Sequence, residues 1–190
     1  MRSLRDGSRK SGEGVRITEE MSQQFEQVVL PHLDAAYNLA RWLVRSPADA
    51  DDVVQEAFLR ALRFFDGFRG GDSRSWILKI VRNTSYSWMR KNRPAELADE
   101  FDETLHSSEG SAENVERTLV SRGEGDRVRK ALETLPVAFR EVLVLREIEE
   151  LSYKEICEVT AMPMGTVMSS LSRARKRLRE QLETSARKEV

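Results

Sequence analysis

Between Gly165 and Arg179 the chain carries five Lys or Arg and no acidic residue, and their spacing suits a helix that reads DNA. Val167, Leu171, Ala174, Leu178 and Leu182 follow one another at steps of four, three, four and four, which puts them on one side of a helix. Ser169, Ser172, Arg173 and Lys176 share the other side. A solvated amphipathic helix would show the same pattern, so the residues just upstream decide its meaning. Ser152-Tyr153-Lys154-Glu155 fits a capping box that opens a short helix bearing Ile156 and Val159, and Ala161, Met162 and Pro163 stop it. Two short helices joined by a tight turn, the second one basic on its outer face, form the helix-turn-helix plan, whose second helix enters the major groove. An ordinary helical hairpin is the competing reading.

A second stretch suits unpaired nucleic acid. From Ser73 to Arg90 helical periodicity turns Trp76, Ile77, Ile80, Val81, Thr84 and Trp88 inward and Lys79, Arg82, Asn83, Tyr86 and Arg90 outward. Unpaired bases stack on aromatic rings while Lys and Arg neutralise their phosphates, and each stacked base contributes about 1–3 kcal/mol. Trp76 and Trp88 read equally well as core anchors. The preceding Phe65-Asp66-Gly67-Phe68-Arg69-Gly70-Gly71-Asp72 is a glycine-rich loop, either a pocket for an extruded base or a plain connection.

These segments need a scaffold, and the rest of the chain supplies helices for it. Phe25 to Val44 carries a core stripe broken near Pro31, and Ser46-Pro47 ends it. From Asp49 to Phe65, Val54, Ala57, Phe58, Ala61, Leu62 and Phe65 form the buried side. Asp49, Asp52, Glu56, Arg60 and Arg63 project outwards with Val53 expected among them, and an exposed valine between acids and arginines suggests a protein-docking surface. Val128 to Leu135 and Val137 to Arg146 read as two helices broken at Pro136, which complete a four-helix unit with the helix-turn-helix.

Charge sets the boundary between the two units. Residues 95–126 hold ten Asp or Glu against two Arg, the composition of a flexible acidic linker. The expected plan is all-α: a disordered basic extension over 1–20, a first helical domain over 21–94, the linker over 95–126, a helix-turn-helix domain over 127–184 and a tail over 185–190. With 190 residues, 39% apolar and 33% charged, the composition is that of a soluble helix-rich protein. No apolar run approaches a bilayer's thickness and no secretory leader precedes the first domain, so a cytoplasmic location is expected. Cys157 has no second cysteine to pair with and reads as a small buried residue, and His32 and His106 show no metal-ligand pattern.

Several ordered motifs together resemble those of an extracytoplasmic-function sigma factor of bacterial RNA polymerase. They are Asp49-Ala50-Asp51-Asp52-Val53-Val54-Gln55-Glu56-Ala57-Phe58-Leu59-Arg60-Ala61, Phe68-Arg69-Gly70 and Trp76-Ile77-Leu78-Lys79-Ile80-Val81-Arg82-Asn83-Thr84, followed by Leu135-Pro136, Leu151-Ser152-Tyr153-Lys154-Glu155-Ile156 and Gly165-Thr166-Val167. The similarity covers nearly all of residues 22–182. It implies sigma-two and sigma-four domains, no catalytic residue, no cofactor and no metal, with the chemistry left to the polymerase.

The resemblance further implies residue roles. Asp49, Asp52, Val53, Gln55, Glu56 and Arg60 would dock on the clamp helices of the largest catalytic subunit. Phe68, Trp76, Lys79, Arg82, Asn83, Tyr86 and Arg90 would open the minus-ten element, with Phe68 and Asn83 holding a flipped non-template base and Lys79, Arg82, Tyr86 and Arg90 holding the strand. Met168, Ser169, Ser172, Arg173 and Lys176 would face the minus-thirty-five duplex, with Arg175, Arg177 and Arg179 at its backbone. Many family members carry Arg or Lys where Met168 stands and Arg where Ser170 stands. The acidic linker would thread the polymerase cleft, although plain repulsion from DNA accounts for it equally. With no further domain after Val190, control is expected from outside, through an anti-sigma factor clamping both domains.

Two other classes stay open on the residues alone. An autonomous helix-turn-helix regulator would use only the second domain. A magnesium-dependent enzyme would use Asp49, Asp51, Asp52 and Glu56, but Asp51 is expected near the buried side and no general base accompanies the cluster.

Overall fold

The computed structural model describes residues 18–97 and 122–188, and helix is the only regular structure among them. The rest of the basic extension, linker residues 98–121 and the final two residues lie outside the described residues, His106 among them. The first domain begins with α1 (Glu19–Val29), where the Thr18 side chain accepts a hydrogen bond from the Met21 amide. A 3-10 turn containing Pro31 leads into α2 (Leu33–Val44). Next, α3 (Pro47–Phe64) opens on the Ser46 cap and a proline in its first turn, where the missing N–H costs nothing. A 3-10 turn over Phe65–Gly67 and a short loop precede α4 (Ser73–Asn92). Gly70 and Gly71, with φ of 84° and 104°, take backbone conformations that a side chain would disfavour. They let the chain reverse into the Asp72 cap, whose carboxylate accepts from the Arg74 amide.

The second domain consists of α5 (Arg122–Thr134), α6 (Val137–Leu143) with a π turn over Val144–Ile148, α7 (Tyr153–Thr160) and α8 (Met164–Lys188). Helix α5 starts within the stretch read as linker. Acidic residues there masked a helix whose apolar positions come later, at Val128, Ala131 and Leu132. Both halves of the capping box at Ser152 and Glu155 are present, and Ala161 ends α7 in the left-handed conformation at φ 59°. Val167, Leu171 and Ala174 of α8 pack with Leu132, Leu143, Leu145, Ile156 and Val159, and each buried aliphatic side chain contributes about 1.5–3 kcal/mol.

The two domains are in contact. Helix α4 lies against α7, and α2 lies against α6. Helix α3 in turn is packed against both α2 and α4, which widens its buried side beyond a single stripe. Val53, expected to point outward, is therefore buried at 2% exposure beside Ala50, Val54 and Ala57. Leu33, within the stretch from Phe25 to Val44 expected to carry a core stripe, is exposed.

Candidate nucleic-acid interface

On the face of α3 expected to dock, the exposed residues are Asp52, Gln55, Glu56 and Leu59. Their steps of three, one and three keep them on one face of the helix. Leu59, at 48% exposure, is the exposed apolar residue on this face, the position the sequence reading gave to Val53. Glu56 and Arg60 pair within this face at 2.7 Å. Asp49 is less available than its sequence position suggested, because its carboxylate lies 3.4 Å from Arg93, whose other nitrogen donates to the Val44 carbonyl at 2.9 Å. Asp49 thus helps Arg93 close the end of α2. Asp51, expected near the buried side, is exposed. Among the described residues no cluster of three or more His, Cys, Asp or Glu could hold a metal.

Around the loop before α4, aromatic packing builds a cleft. Phe68 stacks on Phe65 at 5.9 Å and 16°, and its ring centre lies 4.9 Å from that of Trp76. Met21, Val28, Phe65, Asp66, Phe68 and Gly70 contribute to the walls of a cleft of about 470 Å³. Asn83, expected to share this pocket with Phe68, is not among its walls and stands exposed further along α4. His32 Nε2 and Ser73 Oγ, 2.9 Å apart, tie the start of α4 to the turn before α2.

Lys79, Asn83 and Arg90 of α4 face solvent as expected, but Arg82 and Tyr86 do not. Arg82 donates from Nε and Nη2 to the two carboxylate oxygens of Glu141 at 2.6 and 3.2 Å, and Tyr86 donates its hydroxyl to the same group at 3.1 Å. Glu141 belongs to α6 of the second domain and is 1% exposed. Burial pushes its carboxyl above the usual carboxylate range, while Arg82 and Tyr86 oppose that rise. A second such contact runs from Arg74 Nη2 and Asn38 Nδ2 to Glu149, at 2.8 and 3.1 Å. Beside Glu141, Arg140 is fully buried. Its guanidinium donates to the carbonyls of Glu133 and Leu135 at the end of α5 and to that of Leu43 in the last turn of α2, at 3.1–3.3 Å. Burial, reinforced by Arg45, lowers its pKa to about 10, which leaves it charged at neutral pH. None of these pairs across the domains was legible in the sequence, because each joins residues far apart in the chain.

On α8 Met168 is 51% exposed and Ser169 and Lys176 are exposed, as a groove-facing side requires. Ser170 is buried, so it belongs to the packed side of the helix. Ser172 and Arg173 are half-buried, and the Arg173 and Arg177 guanidinium groups lie 5.5 and 5.8 Å from the centre of the Phe139 ring. Arg175, expected at the DNA backbone, is held by Glu147 at 2.7 Å. Cys157 is half-buried rather than buried, with its sulfur 4.0 Å from that of Met164.

Comparison with known proteins places both domains. Residues 28–95 match the family described as Sigma-70 region 2, and residues 125–178 match Sigma-70, region 4. The ECF RNA polymerase sigma factor SigW of Bacillus subtilis is 33% identical over 83% of this chain and 88% of its own. SigE of Mycolicibacterium smegmatis, also an ECF RNA polymerase sigma factor, is 31% identical over 83% of this chain, and the match spans 61% of that relative. Among solved structures, the sigma factor RpoE of Bartonella quintana in complex with the anti-sigma factor NepR is 29% identical. It superposes with a TM-score of 0.65 over 85% of this chain and 98% of that one.

Proposed function

The chain belongs to the extracytoplasmic-function sigma factors of RNA polymerase, and from that premise we propose how its residues direct promoter-specific initiation. It acts as a transcription factor and not as an enzyme, binding core polymerase in the cytoplasm. Its first domain opens the minus-ten element and its second reads the minus-thirty-five element. The observation that carries this reading is the pairing, in one chain, of an aromatic and cationic α4 with a capped helix-turn-helix whose second helix presents Met168, Ser169 and Lys176 to solvent. No described helix is long and apolar enough to cross a membrane. An anti-sigma factor is the proposed regulator, because a relative of similar fold is found with one. The test is transcription with purified core polymerase. Promoter-specific initiation from core and this chain alone supports the reading, and a requirement for another sigma factor overturns it in favour of an autonomous helix-turn-helix regulator.

The docking face of the first domain comprises Asp52, Gln55, Glu56, Leu59 and Arg60 in this proposal, with Asp49 and Val53 supporting it from within. Reversing Asp52 and Glu56 to lysine is expected to weaken core binding at least tenfold with helicity unchanged, since like charges set against a complementary surface cost several kcal/mol. Titration of labelled core measures it, and an unchanged affinity removes this face from the interface.

In the second domain Arg173, steadied by the Phe139 ring, is the proposed base reader, and exposed Arg179 is the proposed phosphate contact. Arg173→Ala should cost about 1–3 kcal/mol and relax preference at one or two positions of the upstream element. Arg179→Ala should weaken binding on every sequence alike and lower the salt slope by about one. Isotherms on single-base promoter variants at several salt concentrations distinguish the two. Identical profiles would remove Arg173 as the reader.

A further inference from the structure

We propose that Cys157, Met164 and Met168 bind one copper(I) ion at the turn of the helix-turn-helix, and that the bound ion draws Met168 away from promoter DNA. Sulfur is concentrated at this turn. The chain has one cysteine and six methionines, and Cys157, Met162, Met164 and Met168 lie within twelve residues of one another. Met162 packs against the core, which leaves three. Cys157 of α7 is half-buried, and Met164 and Met168 of α8 are exposed. Burial favours a side chain as large and apolar as methionine, so packing accounts for neither exposed one.

The sulfur of Cys157 lies 4.0 Å from that of Met164, although the two belong to different helices. With metal–sulfur bonds of about 2.3 Å, two sulfurs at that separation share one ion at an angle of about 120°, which leaves the third corner of a triangle open. Met168 stands one turn beyond Met164 on the same face of α8. A helical side chain leans back over the turn before its own Cα, so the Met168 thioether is directed toward that corner. Thiolate and thioether are soft donors, and such donors suit copper(I). Harder ions lack a donor set here, since among the described residues no group of three His, Cys, Asp or Glu could hold a metal. On binding, the ion displaces the Cys157 thiol proton to solvent. Copper(I) and thiolate then neutralise each other, and the site needs no further counter-charge. A methyl group at Gly165 would touch nothing within 4 Å, so the approach from solvent is open. The effect on DNA rests on the groove-facing assignment of Met168 made above.

The test titrates the full-length chain with copper(I) bicinchoninate under argon and follows the thiolate-to-copper band in the ultraviolet. The parent should take up one equivalent. Met164→Leu and Met168→Leu exchange side chains of similar volume at exposed positions and should keep the fold. Each should bind copper(I) about tenfold more weakly and Cys157→Ser about 100-fold more weakly, since even partners outside the ligand shell are worth about 10–100-fold. No uptake by the parent overturns the site, as does parent-like affinity in either methionine variant. Circular dichroism checks folding, and should Cys157→Ser misfold, the two methionine variants decide. Assembled with core polymerase, the parent should lose about tenfold in promoter affinity when copper(I) is added, and Met168→Leu should lose none. A loaded parent with unchanged promoter affinity overturns the coupling. Promoter-specific binding by the copper-free parent, scored in the same preparation, separates failure of this proposal from failure of the sigma-factor reading.

Discussion

Asn83→Ala is expected to reduce open-complex formation at a duplex promoter by about 5- to 150-fold while core binding stays within twofold, the loss corresponding to about 1–3 kcal/mol for a polar partner left without its hydrogen bond. Asn83 is exposed on α4, one turn beyond exposed Lys79, so its amide is free to meet the edge of an unpaired base. The side chain supports no packing, and its loss should leave the helix intact. The Asn83 carbonyl that accepts the Ser87 hydroxyl at 2.8 Å belongs to the backbone and survives the substitution. Permanganate footprinting of the promoter bubble measures the effect. A bubble of unchanged extent and an unchanged minus-ten preference would shift base capture from Asn83 to the Phe68 cleft, where Phe68→Ala would then carry the defect.

Arg140→Ala should destabilise the second domain by about 3 kcal/mol, because two carbonyls of its own domain, the part-buried one of Glu133 and the buried one of Leu135, lose their donor at about 1–3 kcal/mol each. The substitution also leaves an empty volume where a long side chain stood fully buried. Arg140→Lys should recover only part of this loss, since a single ammonium cannot span acceptors that the planar guanidinium fork reaches together. Urea unfolding followed by far-ultraviolet dichroism gives the difference. A change below about 1 kcal/mol for alanine would show that water replaces the guanidinium at those carbonyls.

The helices of this protein were legible because their punctuation is local. Pro31, Pro47 and Pro136, the caps Ser46 and Ser152, and the glycines before Asp72 each act within a few residues of the boundary they set. The helix-turn-helix was legible for the same reason. What escaped were features fixed by distant partners. Val53 lies on the margin of the apolar stripe of α3, and only the packing of that helix between α2 and α4 decides that it is buried. Once it is assigned inward, Leu59 becomes the exposed apolar residue on the acidic face, at a spacing the sequence already contained. Arg82 and Tyr86 were read as facing outward, but they pack on Glu141, 59 and 55 residues away. No periodicity links positions across a linker. Arg140 reads in sequence as an ordinary surface cation in an amphipathic helix, and nothing local announces that two helix ends converge on it.

That convergence makes the halves of this chain matched parts. The carbonyl ends of α2 and α5 carry partial negative charge, and Arg140 is the cation set between them. A hybrid that joined this first domain to a second domain with a small apolar side chain at that position would bring two like poles together with nothing to reconcile them. The hybrid would lose the one side chain that bonds three carbonyls across this seam, and its halves would no longer be fixed to each other there.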